Sequence, residues 1–189
     1  EKTEKKQQGE DCIDAATTIL DIGTGSGCIA VTLSLDIAGA DVTAWDVSET
    51  ALETARRNAI ELGAVVKMER QDALQPPDDT EKWDVIVSNP PYICRRESDA
   101  MERNVLEHEP HTALFVPDDN PLMFYRAIAG YARKALRPGG GLFFEINPLY
   151  STDMLTMLRD NGFSRIETRK DSFGKERMMM ARRERHPAT

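Results

Sequence analysis

The feature that most constrains the fold of this sequence is a glycine-rich turn, Gly23-Thr24-Gly25-Ser26-Gly27, between two apolar stretches. The stretch before the turn, Ile19-Leu20-Asp21-Ile22, indicates a buried strand, and the stretch after it, Cys28-Ile29-Ala30-Val31, indicates the start of a helix. A glycine turn at a strand-to-helix junction is the context that a cofactor loop requires. We therefore expect an α/β protein whose first loop binds a ligand.

The order of the apolar runs predicts that strands and helices alternate along the chain. After the strand at residues 19–22, six more runs have strand character, at residues 41–46, 64–69, 83–88, 141–146, 163–168 and 176–181. The last two are separated by Asp171-Ser172-Phe173-Gly174, which indicates an antiparallel hairpin. This pattern is typical of a doubly wound, mostly parallel sheet with helices on both faces.

Three further helices have start or stop signals. Ser48 can cap a helix that ends at Gly63, the pair Asn120-Pro121 can begin a second helix that ends at residues 138–140, and a third is expected at about residues 151–159. The first two each place apolar residues on one face. These residues are Leu52, Ala55, Ala59 and Leu62 in the first helix, and Leu122, Tyr125, Ile128, Ala129 and Ala132 in the second.

Length and charge favour one compact domain. The 189 residues suffice for a single core, and we expect a folded domain at residues 17–183, a disordered linker remnant at residues 1–16 and a solvated tail at residues 184–189. The net charge of −8 disfavours a surface that follows a phosphate backbone, so nucleic acid is not expected as a partner.

Cysteine usage and hydropathy indicate a cytoplasmic protein. Cys12, Cys28 and Cys94 share no metal-ligand or redox spacing, which suits free thiols in a reducing compartment. No apolar run approaches the length of a membrane span, and no signal peptide is recognisable.

The sequence Asn89-Pro90-Pro91-Tyr92, directly after the strand at residues 83–88, is the strongest chemical signal. The Asn89 side-chain oxygen and the Pro90 carbonyl can each accept one N–H of a planar NH2 group, on which the Tyr92 ring can pack. Because an amide nitrogen is a poor nucleophile, a catalyst must hold it pyramidal, and both acceptor bonds strengthen as positive charge develops. The motif favours an enzyme that acts on an amide or exocyclic amine, although the tetrapeptide alone also fits a simple turn.

Three carboxylates lie at successive strand ends beside the glycine turn. Asp21 precedes the turn, whose glycine spacing departs from that of pyrophosphate binders, and its charge suits an ammonium group. Asp46, about twenty residues beyond the glycines, can accept from both ribose hydroxyls. Asp72 can accept from an adenine amino group. Each acid alone also fits a helix cap or a turn, but together they predict S-adenosylmethionine as the ligand.

Four segments carry a family resemblance. They are residues 20–30, the triplet Asp46-Val47-Ser48, residues 84–93, and Glu109-Pro110-His111-Thr112-Ala113-Leu114, which residues 120–126 follow. Together they resemble the bacterial HemK/PrmC family, whose members methylate the glutamine side-chain amide of a Gly-Gly-Gln motif in peptide chain release factors. The first and third segments are shared with amino-methylating enzymes of nucleic acids, so the fourth is the narrower signal.

The resemblance extends from about residue 19 to about residue 182, and it implies a seven-stranded, Rossmann-like class I S-adenosylmethionine-dependent methyltransferase fold that yields S-adenosylhomocysteine. Residues 17–183 would then be the methyltransferase catalytic domain, and a release factor the partner. Asn89 and Pro90 would hold the glutamine amide, with Pro91 and Tyr92 bordering it. The implied cofactor-binding residues are Asp21, Gly23, Thr24, Gly25, Gly27, Asp46, Val47, Asp72, Ala73 and Asn89.

Two features depart from the family pattern. Similar proteins have a glycine after the Glu145-Ile146 pair, where this chain has Asn147. The small N-terminal helical domain of the family, and the segment before the first strand that helps to close the cofactor site, have no counterpart here. Since the first residue is Glu1, a truncated domain is expected.

The stretch at residues 93–119 lacks helical or strand periodicity, and we expect it to form a rim over the substrate glutamine. Within it, His108, Glu109 and His111 lack the spacing of a zinc-binding helix, so no metal is expected. Two alternatives to a protein glutamine methyltransferase stay open. One is an enzyme that methylates adenine N6, cytosine N4 or guanine N2 in DNA or RNA, and the other is a cofactor-binding module without catalysis.

Overall fold

A computed structural model of the chain describes residues 16–94 and 115–184. The strands in these residues are β1 (Thr18–Ile22), β2 (Asp41–Asp46), β3 (Val66–Arg70), β4 (Trp83–Ser88), β5 (Ile93–Cys94), β6 (Phe115–Val116), β7 (Leu136–Glu145), β8 (Phe163–Lys170) and β9 (Glu176–Arg183). The α-helices are α1 (Cys28–Asp36), α2 (Glu49–Leu62), α3 (Met123–Ala135) and α4 (Ser151–Asp160), and a 3-10 turn spans Pro148–Tyr150.

Seven strands form one sheet in the order β3-β2-β1-β4-β7-β9-β8. The first five of these strands are parallel, whereas β9 runs antiparallel to both β7 and β8. The expected seven-stranded, mostly parallel sheet with a C-terminal antiparallel hairpin is thus confirmed. Because neighbouring strands are parallel, the carboxyl ends of β1, β2, β3, β4 and β7 meet at one edge, called here the carboxyl edge.

Burial follows the apolar pattern of the sequence. In the central strand β1, the four residues from Ile19 to Ile22 are at most 2% exposed. The predicted apolar face of α3 is buried throughout, which confirms that helix as a cover of the sheet. Among the described residues, every helix is too short or too polar to span a lipid bilayer.

The predicted end of the helix that follows Asn120-Pro121 was wrong. Helix α3 stops at Ala135, and residues 138–140 lie inside β7, where the register with β4 shifts between Trp83 and Val85. This irregularity accommodates Pro138, which has no N–H for the ladder. It also needs Gly140, since a Cβ there would lie 2.9 Å from the Arg137 carbonyl oxygen.

The predicted apolar face of α2 was wrong at one residue. Leu52, Ala55 and Ala59 are buried, and Ser48 and Gly63 cap the helix as expected. Leu62 is 61% exposed. Leu62 lies ten residues after Leu52 and is therefore rotated by about 80° from Leu52 around the helix axis.

The stretch at residues 93–119 is only partly described. Its two ends pair as the parallel strands β5 and β6, with Ile93 opposite Phe115 and Cys94 opposite Val116. Cys94 and Val116 are buried. The two ends of the stretch therefore lie side by side, while residues 95–114 of the rim expected at residues 93–119 lie outside the described residues.

The hairpin of β8 and β9 turns at the carboxyl edge. Asp171 accepts hydrogen bonds from the N–H groups of Phe173 and Lys175, both at 2.9 Å, and Gly174 has φ +80°. These bonds lower the pKa of the Asp171 carboxyl. The predicted turn at residues 171–174 is confirmed, and it brings the start of β9 beside the end of β7.

Candidate active site

The glycine turn lies flat over the ends of β1 and β2. Gly23, Gly25 and Gly27 have φ of +74°, +56° and +85°, a region that other residues rarely adopt. The N–H of Gly23 donates to the Trp45 carbonyl at 2.8 Å, and the N–H of Gly25 donates to Asp46 Oδ2 at 2.9 Å. A Cβ at Gly23 or Gly25 would meet no atom within 4 Å. The turn is therefore fixed from below and open to a ligand above.

Asp21 is buried beneath this turn. Its Oδ2 accepts from Thr24 Oγ1 at 2.7 Å and from the Ala30 N–H at 3.2 Å. Among the buried side-chain oxygens and nitrogens of the described residues, its Oδ1 is the one atom without a hydrogen-bond partner. Burial raises the pKa of Asp21 to about 6. A buried acceptor without a donor is costly, so this oxygen suits a cationic ligand group.

The other two predicted acids are oriented by the backbone. Asp46 Oδ1 accepts from the Ser48 N–H at 2.9 Å, while Oδ2 accepts from Gly25. Asp72 Oδ1 accepts from the Leu74 N–H at 2.8 Å and Oδ2 from Gln75 Nε2 at 3.3 Å. Each carboxylate keeps unused lone pairs.

Apolar surface accompanies these acids. Val47, next to Asp46, is 58% exposed, and Leu74, close to Asp72, is 40% exposed. Ala73 is partly buried against the main core. The N–H of Gln71 donates to the Asp46 carbonyl at 3.0 Å, which joins the chain after β3 to the end of β2. The acids and the apolar side chains together line one side of the carboxyl edge.

Asn89 follows directly from the end of β4. Ser88 pairs with Ile22 in the sheet, and its hydroxyl donates to the Ile22 carbonyl at 2.7 Å, which ties the end of β4 to the end of β1. Asn89 is exposed and makes no hydrogen bond with the described residues, whereas Pro90 is buried and Pro91 half-buried. The structure thus brings Asn89 next to the glycine turn, while its role stays a prediction.

Tyr92 is fixed by two residues that sequence reasoning did not select. Its hydroxyl donates to Glu145 Oε1 at 2.8 Å, and its carbonyl accepts from Asn147 Nδ2 at 3.3 Å. Burial, followed by the neighbouring Glu145 carboxylate, raises the pKa of Tyr92 to about 12. One signal was available for Glu145, because it ends an apolar strand as Asp46 ends β2. Nothing local indicated a partner more than fifty residues away.

Other predicted elements lie elsewhere. The segment at residues 109–114, with His108 before it, falls outside the described residues. In residues 16–94 and 115–184, no group of three or more His, Cys, Asp or Glu side chains is arranged to hold a metal ion. Surface cavities between α3 and α4, and at the opposite end of the sheet near Arg165 and Arg182, contain none of the predicted site residues.

Solved structures define the fold class of this chain. The chain is similar to a methyltransferase from Pyrococcus furiosus, with a TM-score of 0.65 over 90% of this chain and 76% of that one at 19% identity. It is also similar to magnesium protoporphyrin IX methyltransferase from Synechocystis PCC 6803, solved with bound S-adenosylmethionine, with a TM-score of 0.58 at 22% identity over 89% and 70% of the two chains. The fold is that of the class I methyltransferases.

The family follows from the sequence. The model of the family described as "Methyltransferase small domain" matches residues 10–112, and the chain belongs to this family. A release factor glutamine methyltransferase from Bacteroides thetaiotaomicron is 50% identical over 169 residues, which are 89% of this chain. The match spans 61% of the length of that relative.

Proposed function

We propose that this chain transfers a methyl group from S-adenosylmethionine to the side-chain amide nitrogen of the glutamine in the Gly-Gly-Gln motif of peptide chain release factors. The relative with 50% identity supports this substrate. The structural observation that carries the chemistry is the position of Asn89. Its side chain is exposed, makes no bond with the described residues and follows Ser88, which is bonded to the end of β1.

The residues of the carboxyl edge fit the cofactor. The unpartnered Oδ1 of Asp21 matches the ammonium of the amino-acid end. The remaining lone pairs of Asp46 match the ribose hydroxyls, and those of Asp72 match the adenine amino group. Val47 and Leu74 offer exposed apolar surface to a planar base. Open space above Gly23 and Gly25 admits the ligand.

When bound, the cofactor supplies an electrophilic methyl group and leaves as S-adenosylhomocysteine. The side chains of this protein act on the other reactant. Asn89 Oδ1 and the Pro90 carbonyl accept the two N–H bonds of the glutamine amide and hold its nitrogen out of conjugation. As the nitrogen becomes positive, both bonds strengthen, which stabilises the transition state more than the ground state.

Deprotonation needs no base from the protein. The methylated nitrogen is acidic, so its extra proton passes to water. Tyr92 stays protonated at neutral pH, since the ordinary pKa of a tyrosine is about 10 and burial raises the pKa of Tyr92 further, to about 12. Its hydroxyl is therefore a donor to Glu145 rather than a proton acceptor, and its ring borders the substrate amide.

The same proposal extends to organisation and location. Residues 17–183 form the methyltransferase catalytic domain, whereas the expected linker at residues 1–16 and the expected tail at residues 184–189 lie, apart from residues 16 and 184, outside the described residues. Catalysis takes place in the cytoplasm, which suits the free, exposed thiol of Cys28.

Methyl transfer with a labelled cofactor tests the proposal. The protein is incubated with S-adenosylmethionine carrying a tritiated methyl group and with a release factor, in parallel with a release factor whose Gly-Gly-Gln glutamine is replaced by alanine. We expect label in the first factor and none in the second. Calorimetry with S-adenosylhomocysteine measures cofactor binding independently of transfer.

Two results would contradict the proposal. Label in DNA or RNA, with none in the release factor, would assign the chain to the amino-methylating enzymes of nucleic acids. Binding of S-adenosylhomocysteine without transfer to any of these substrates would leave a cofactor-binding module.

A further inference from the structure

Asn89 depends on its neighbours for its position. Because its side chain makes no hydrogen bond with the described residues, the two acceptors of the motif are placed only by what holds the turn between Ser88 and Tyr92. At one end, the Ser88 hydroxyl is bonded to the Ile22 carbonyl at 2.7 Å in the buried sheet. At the other end, Tyr92 is bonded to Glu145, the last residue of β7, and to Asn147, two residues beyond it.

We propose that Glu145 and Asn147 are positioning residues that fix the Pro90 carbonyl and the Asn89 side chain for catalysis by holding Tyr92 at two points. This inference rests on the proposed function. Glu145 Oε1 accepts from the Tyr92 hydroxyl at 2.8 Å, at the tip of the side chain. Asn147 Nδ2 donates to the Tyr92 carbonyl at 3.3 Å, on the main chain. Two points on one residue fix both its ring and its peptide plane.

Asn147 is itself oriented by the backbone. The side chain is 6% exposed, and its Oδ1 accepts from the Leu149 N–H at 3.1 Å. Since the oxygen is bonded to an N–H group, the NH2 end must face Tyr92. The 3-10 turn at Pro148–Tyr150 therefore sets the direction in which Asn147 donates.

Glu145 stands on a rigid support. The Tyr125 hydroxyl donates to the Glu145 carbonyl at 2.9 Å, and the Tyr125 ring is fully buried and packs edge-on against Phe144 at 5.2 Å. The next residue, Ile146, donates its N–H to the Arg177 carbonyl of β9 at 2.8 Å. The backbone that carries the Glu145 side chain is thus held by α3 on one side and by β9 on the other.

The bond between Tyr92 and Glu145 belongs to a strong type. A hydroxyl that donates to a carboxylate makes a charge-assisted hydrogen bond, which is about twice as strong as a neutral one. Without this bond, the turn after β4 can relax and displace the Asn89 and Pro90 acceptors. Small displacements of groups that hold a reacting atom strongly lower the rate of the reaction. We expect about a tenfold to hundredfold loss of kcat, with little change in affinity for S-adenosylhomocysteine.

The test compares variants that break one contact each. Tyr92→Phe removes the hydroxyl, Glu145→Ala removes its acceptor, and Asn147→Asp removes the donor to the Tyr92 carbonyl while keeping an oxygen for the Leu149 N–H. If Glu145 acts through Tyr92, the double variant of Tyr92→Phe and Glu145→Ala loses no more kcat than either single variant. If the kcat losses of the two single variants add in the double variant, Glu145 does not act through Tyr92 and the inference is refuted.

Tyr131→Phe is a matched control. The Tyr131 hydroxyl donates to Asp79 Oδ2 at 2.7 Å, a bond of the same type near the amino end of β4, and it also accepts from Trp83 Nε1 at 2.7 Å. Its removal is expected to lower the melting temperature without changing kcat. Glu145→Gln, which keeps an acceptor oxygen, is expected to restore most of the kcat that Glu145→Ala loses.

Hydrogen exchange decides the inference even if no methyl is transferred. In Glu145→Ala and Asn147→Asp, the amides of Tyr92, Ile93 and Cys94 are expected to exchange at least about tenfold faster than in the unaltered protein, because the turn opens locally. Tyr131→Phe is expected to leave them unchanged. Unchanged exchange in both variants would refute the positioning role, whereas absent transfer by the unaltered protein would refute only the proposed function.

Discussion

Replacing Asp21 by Asn is expected to change stability and cofactor affinity in opposite directions. Both hydrogen bonds that Asp21 accepts go to Oδ2, so an Asn oxygen can keep them. The NH2 group would then occupy the place of the buried, unpartnered Oδ1. The substitution removes the buried negative charge with little change of shape.

The stability effect follows from the pKa of Asp21, which burial raises from 3.8 to about 6. The folded state therefore holds the proton more tightly than the unfolded state, and stability falls as pH rises from about 4 to about 6, then levels off. A shift of about two units corresponds to about 3 kcal/mol, of which about half is lost between pH 5 and pH 8. Asn avoids this loss.

Thermal and denaturant unfolding at several pH values measure this effect. Relative to the unaltered protein, Asp21→Asn should gain about 1–2 kcal/mol between pH 5 and pH 8. The matched control is Asp36→Asn, since Asp36 is exposed and has the same charge. In the control, the difference from the unaltered protein should stay within a few tenths of a kcal/mol across this range.

Asp21→Asn should lower the affinity for the cofactor, although it raises stability. Without the carboxylate, the ammonium of S-adenosylhomocysteine loses a charged partner, and calorimetry should show binding about ten to a hundred times weaker. In the unaltered protein, affinity should also fall as pH drops below about 6, where Asp21 takes up a proton. Equal affinity in the variant, or stability curves that run parallel for the two proteins, would refute the reasoning.

Three further substitutions test the site and its support. Asn89→Ala should abolish methyl transfer while calorimetry still shows S-adenosylhomocysteine binding, because the amide acceptor is lost and the acids remain; undiminished turnover would contradict the role of Asn89. Gly27→Ala should lower the unfolding free energy by about 1–3 kcal/mol, because φ is +85° and the new Cβ would lie 2.9 Å from Ala55 Cβ; a stable variant in urea titration would contradict this. Ser88→Ala should cost about 1–2 kcal/mol in the same titration, because the buried Ile22 carbonyl loses its donor at 2.7 Å, and Ser88→Thr is expected to lose less.

Much of the fold could be predicted from local pattern. The strand at Trp83–Ser88 and the α2 cap at Ser48 were predicted correctly, because a short apolar run and a capping residue act over a few residues. The predicted stop at residues 138–140 was wrong. Pro and Gly usually end helices and strands, yet here they lie in an irregular part of β7. Next to it, the Arg137 guanidinium donates to the Asp84 carboxylate of the paired strand β4.

The candidate site, too, could be predicted only in part from the sequence. The acids Asp21, Asp46 and Asp72 and the Asn89 motif could be selected from sequence, because each follows a recognisable strand. Their assembly at one edge depends on the parallel order of the strands, and it was predictable only once that order was assumed. The unpartnered oxygen of Asp21 was not predictable, because burial is a property of the packed sheet and helices.

The sequence by itself determined where most of the turns lie, which long segments are strands or helices, and which residues are the candidates for the chemistry of the proposed methyltransferase. Those features depend on φ preferences and apolar spacing, which act between near neighbours. Only the tertiary structure decided that Glu145 and Asn147, 53 and 55 residues beyond Tyr92, hold that residue in place. Contacts across such distances in the chain arise from strand order and packing, and no local pattern specifies them.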